Sequence, residues 1–131
     1  MSRKSVALVG LDPFKIDFSD PAYAQFAHLD ADKTQAGLDQ DVDRLNALGY
    51  DAELVLTESS LEVAVSDVTK ALKRKEWDCV LIGAGVRAIP KNFLLFETLV
   101  NLVHEFAPQA KICFNSKPDD SAQAVERWMK L

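Results

Sequence analysis

The chain has 131 residues, 48% apolar and 27% charged, with a formal net charge of −5. That length fits one domain around one core and leaves too little for two. The acidic balance speaks against a general binder of nucleic acid or of anionic membranes, and no apolar run approaches a membrane span.

Residues 1–4 form a polar lead-in that passes straight into a strand-like run, with no signal-peptide pattern. Residues 5–11 (SVALVGL) are almost continuously apolar, which suits a strand buried on both faces. Residues 12–29 are irregular. Asp12-Pro13 and Asp20-Pro21 are breaker pairs, because the residue before proline is pushed out of the helical region. Asp20 can cap a short helix over 21–27 that shows Tyr23 and Phe26 to the body.

The next element is a helix over about 31–48. Leu38, Val42, Leu45 and Leu48 follow helical spacing, and Gly49 sits where a helix-ending residue belongs. Residues 51–57 (DAELVLT) read as the second strand. Ser59 and Glu62 have the spacing of a capping box, and Leu61, Val65, Val68 and Leu72 form the stripe of the helix that follows. Residues 78–83 (DCVLIG) are a third, buried strand.

The loop 84–91 carries Gly85, Arg87 and Pro90, and Asn92 is placed to cap a helix Phe93–Phe106. Residues 111–115 (KICFN) make the fourth strand. Asp119 or Asp120 then caps a last helix with Ala122, Val125, Trp128 and Met129 inward.

Regular alternation of strand and helix makes a parallel sheet with helices on both faces. The expected fold is an α/β three-layer sandwich with a four-stranded parallel sheet. Its expected strand order is 2-1-3-4, the flavodoxin-like arrangement, with 3-2-1-4 as the alternative.

Ligands in such sheets bind beyond the carboxyl ends of the strands, where the chain switches direction. The polar residues expected there are Asp12, Glu58, Ser59, Arg87, Asn115, Ser116 and Lys117. Gly83 and Gly85 would let backbone approach a ligand closely, and Arg87 would grip a carboxylate or phosphate. Asp12, Asn115 and Ser116 would orient it. The competing reading of Gly83-Ala84-Gly85 is a tight turn needing positive φ. About eighteen residues separate the first strand from the first long helix. A loop of that length is a lid, or a cover that packs Phe14, Phe18 and Phe26 on the sheet edge.

Other chemistry finds little footing. Asp12, Asp17, Asp20 and His28 share the long loop, but their spacing is not that of a calcium loop. Cys79 and Cys113 lie inside strands, too few for a disulfide scaffold and placed as buried, inert thiols. No set of residues has the spacing of an acid–base or nucleophile pair, so catalysis is the least favoured reading.

The helix Phe93–Phe106 is unusually apolar. Leu95, Leu99, Leu102 and Phe106 make one stripe, and Phe93, Phe96, Val100 and Val103 make a second. A twofold homodimer through this helix is the expected use of the second stripe.

The alternation resembles two known groups. Lys117-Pro118 after the last strand is similar to the strand-end lysine and proline of response-regulator receivers. The acids after the first strand reduce to Asp12, however, and Gly83 stands where the phosphoacceptor belongs, so the resemblance implies a body without phosphotransfer. The other group is flavodoxin, though Leu11-Asp12-Pro13-Phe14 lacks its Ser/Thr-rich phosphate loop. Residues 79–87 (CVLIGAGVR) and 111–115 also resemble a family of short, uncharacterised bacterial proteins, which implies the fold and a bacterial source but no activity. Two functions are therefore expected in competition. One is a cytoplasmic domain that binds a small anionic ligand at Asp12, Gly83, Gly85, Arg87, Asn115 and Ser116. The other is a receiver-like interaction module acting as a homodimer.

Overall fold

A computed structural model describes residues 3–26, 29–117 and 119–129. The strands are β1 (Ser5–Leu11), β2 (Asp51–Thr57), β3 (Cys79–Ile82) and β4 (Lys111–Phe114). The helices are α1 (Ala31–Ala47), α2 (Leu61–Lys73), α3 (Ala84–Arg87), α4 (Phe93–Phe106) and α5 (Ser121–Met129). Short 3-10 turns occupy Pro13–Lys15, Pro21–Phe26 and Pro90–Asn92. All pairings are parallel and the strand order is β2-β1-β3-β4, so the direction of winding switches between β1 and β3.

The alternation of side chains along the strands builds two cores, because successive residues point to opposite faces. Ala7, Val9, Leu11, Val80 and Ile82 meet Val68, Leu72, Leu95 and Leu99 of α2 and α4. Val6, Leu8, Cys79, Leu81 and Cys113 meet Leu45 of α1 and Ala122, Val125 and Met129 of α5. The Sγ atoms of Cys79 and Cys113 touch at 3.6 Å inside this second core, where that contact and then burial push the pKa of the Cys79 thiol up.

Local signals set most boundaries. Asp30 caps α1 by accepting from Lys33 N–H at 2.8 Å. Gly49 ends that helix at φ 104°, a conformation that suits glycine. Three details depart from expectation. The capping box at Ser59 is not used: α2 starts after Ser60, which makes no side-chain cap bond. Asn92 does precede α4, but its amide donates to Tyr23 Oη and to the Gly85 carbonyl rather than capping the helix. Trp128 faces outward, 55% exposed.

The second stripe of α4 is largely covered within the chain. Val103 is buried, and Phe96, Val100 and Phe106 pack partly against the core, Phe96 edge-on to Phe114 at 5.6 Å. Of the apolar residues of α4, only Phe93 and Leu94 in its first turn are well exposed. The excess apolar surface that motivated a dimer is thus mostly spent on β4 and α2.

Leu99 is fully buried between the sheet and α2. Leu99→Ala is expected to lower unfolding free energy by about 2–5 kcal/mol in urea titration. A loss under about 1 kcal/mol would contradict this packing.

Candidate functional site

The loops at the carboxyl ends of β1, β3 and β4 enclose a cavity of about 90 Å³. Its floor is strand backbone and side chain from Leu8 to Leu11, with Leu81, Gly83, Ala84 and Gly85. One wall is α1, through Thr34, Leu38 and Asp41. The roof is the long loop after β1, through Ile16, Phe18, Tyr23 and Leu29. Asn115 and Ser121 close the end. The lining is mainly apolar, and among the described residues its one charged member is Asp41.

Asp41 is 2% exposed and ends a chain of hydrogen bonds. Ala84 N–H donates to Asn115 Oδ1 at 2.8 Å. Asn115 Nδ2 donates to Ser121 Oγ at 3.1 Å. Ser121 Oγ donates to Asp41 Oδ2 at 2.8 Å. Each donor is therefore committed in one direction, toward the carboxylate. Burial raises the pKa of Asp41, and Asp119 and Asp120 add to that; the Ser121 bond and Arg44 only partly offset it.

The expected site residues divide. Gly83, Gly85 and Asn115 line the cavity. Asp12, Arg87 and Ser116 do not, and each has local work. The Asp12 carboxylate accepts from Phe14 N–H at 3.0 Å and holds the Pro13–Lys15 turn. Ser116 bonds through its hydroxyl and its N–H to Asp120, whose pKa burial would raise but these bonds lower. Arg87 donates from Nη2 to the Asn115 carbonyl at 2.7 Å, while its buried Nε has no partner. The grip on an anion is thus turned onto backbone. Gly83 is not a positive-φ turn either. It sits at φ −74° as the residue before α3, and a side-chain Cβ there would stand 3.6 Å from the Val9 carbonyl.

The long loop is latched shut. Asp20 pairs with Lys91, which holds its carboxyl below the usual range. Asn92 Nδ2 donates to Tyr23 Oη at 3.2 Å, and Gln25 Nε2 to the Ala88 carbonyl at 3.2 Å. Lys15 pairs with Glu58 at 3.3 Å. Of the phenylalanines expected to cover the sheet, Phe18 roofs the cavity, whereas Phe14 is 62% exposed. The Phe26 side chain, Ala27, His28 and Pro118 lie outside the described residues. Among the described residues no three His, Cys, Asp or Glu side chains gather as a metal site.

Asp41 and Ser121 were not among the expected site residues. One signal for Asp41 is in the sequence: Leu38, Asp41, Leu45 and Leu48 share helical spacing, so an acid lies on the apolar stripe of α1. Ser121 carries no comparable signal.

No protein-family model, curated protein or solved structure matches the chain.

A raised folded pKa means the native state binds the Asp41 proton more tightly than the unfolded chain does. That contribution is present at acid pH and lost as pH rises through the folded value. Asp41→Asn keeps an acceptor for Ser121 without the charge. It should unfold at higher denaturant than wild type at pH 7, with the gap closing toward pH 3. A variant less stable than wild type at pH 7 would contradict the burial cost. Asn115→Ala strands Ala84 N–H and Ser121 and should cost about 1–3 kcal/mol.

Proposed function

We propose that this domain binds a small, mostly apolar molecule in the cavity beneath the 12–30 loop, at the switch point between β1 and β3. The cavity itself carries the reading: an apolar chamber with one buried carboxyl and directed hydrogen bonds, at the place where open α/β sheets take ligands. About 90 Å³ holds roughly four heavy atoms, given that an apolar cavity of about 150 Å³ takes benzene. The loop acts as a lid, because its latches are surface ion pairs and single hydrogen bonds worth little each.

The anionic ligand expected from Arg87 has less support, since the one charge among the described lining residues is negative. On α4, the helix expected to meet a partner, the interaction-module reading rests on Phe93 and Leu94. No helix among the described residues is long and apolar enough to cross a membrane. Two free thiols in contact fit a reducing, cytoplasmic setting. The order β2-β1-β3-β4 is that of flavodoxin-like sheets, which supports keeping the resemblance in view.

Xenon tests the chamber without presuming a ligand. Under xenon pressure, amide shifts in NMR should cluster at Val9, Leu38, Leu81 and Ala84, and Leu38→Phe should suppress them by filling the space. Shifts confined to Phe93 and Leu94, or scattered, would contradict the reading.

A further inference from the structure

We infer that the occupant of this cavity carries a positively charged nitrogen, a primary ammonium group on a short apolar chain, with Asp41 as its counterion. The inference rests on the binding reading above and names its ligand class.

The two oxygens of Asp41 are treated differently. Oδ2 has the Ser121 hydroxyl. Oδ1 has no hydrogen-bond donor among the described residues, and the carboxylate lies in the cavity lining at 2% exposure. The nearest cation is Arg44, whose Nη1 stands 3.9 Å from Oδ1 and donates instead to the Asp119 carbonyl at 3.3 Å. That guanidinium is half exposed, so solvent screens what it offers. The other charged groups near Asp41 are Asp119 and Asp120, which add negative charge.

The polar partners leave a ligand little choice. Asn115 has given its carbonyl oxygen to Ala84 and an amide hydrogen to Ser121. Ser121 has turned its hydrogen to Asp41. The other side-chain hydroxyls of the lining are Thr34, which donates to the Asp30 carbonyl, and Tyr23, which accepts from Asn92, so the charged group among the described lining residues is the acceptor Asp41. A buried carboxylate is tolerated when a partner supplies both a hydrogen bond and opposite charge. A neutral hydroxyl supplies the first alone, and a carboxylate ligand supplies neither. The apolar walls of Val9, Leu11, Ile16 and Leu38 suit the chain that follows the nitrogen.

The test compares n-propylamine, 1-propanol and propionate against wild type at pH 7 by NMR titration. The amine and the alcohol have four heavy atoms each and match the volume, propionate has one more, and the three differ chiefly in the head group. The ammonium should bind about tenfold or more tighter than the alcohol, and propionate should not bind. Its affinity should weaken as pH falls into the range where Asp41 takes up a proton. In Asp41→Asn, amine and alcohol should become equal. Equal binding of amine and alcohol to wild type would overturn the inference and leave the cavity reading standing. Preference for propionate would overturn it in favour of an anion site. Xenon binding with no response to any of the three would also overturn it, and absence of xenon binding as well would remove the cavity reading with it. The wild-type comparison decides the matter even if the variant folds poorly.

Discussion

The structure at this end of the sheet depends on how one buried carboxylate is held. Asp41 sits in the middle of α1, on the face turned toward the sheet. Ser121 opens α5, Asn115 follows β4, and Ala84 opens α3. The hydrogen bonds from Ala84 to Asp41 therefore connect four elements that are distant in sequence. Buried polar chains of this kind are costly when broken, because each member left alone keeps its desolvation penalty. The same chain shapes the chamber: it commits the Asn115 carbonyl and the Ser121 hydroxyl hydrogen and leaves Asp41 as a charged acceptor among mainly apolar walls.

The long loop completes the enclosure, and its attachments have a different character. Its buried anchor is Tyr23, held by Asn92, which forgoes capping α4 to reach it. The remaining ties, Asp20 to Lys91 and Lys15 to Glu58, are at the surface. A rigid floor built from parallel strands and a roof held by weak, exposed links is a division that lets a closed chamber open. Lower pH acts on the roof through Asp20, whose pairing with Lys91 is lost as its carboxyl takes up a proton.

Much of the fold was legible in the sequence, for a physical reason. Buried parallel strands must be apolar on both faces, and runs such as SVALVGL and CVLI are hard to place elsewhere. The alternation with amphipathic helices then restricts the topology, and Phe93–Phe106 fell within its expected bounds. The site was legible only in part. The sheet points to the carboxyl ends of the strands, and Gly83, Gly85 and Asn115, expected there, line the cavity. The sheet does not give the charge, because side-chain direction is a tertiary fact: Arg87 folds back on the Asn115 carbonyl. Asp41 hid in the run Asp39-Gln40-Asp41-Val42-Asp43, where three polar neighbours disguise one that turns inward. Trp128 shows the converse, an apolar residue on a helix whose inner face Ala124, Val125 and Met129 already fill.

The most direct measurement of this account is the titration of the Asp41 side-chain carboxyl itself, followed by carbon-13 NMR in the ligand-free protein. A buried carboxylate with one hydrogen bond and a half-exposed guanidinium 3.9 Å away should titrate above the ordinary aspartate value of 3.8. Ser121→Ala should raise it further by removing the bond that favours the charged form. A midpoint at or below 3.8, unmoved by Ser121→Ala, would mean that the carboxyl is solvated. The chamber would then not be built around it.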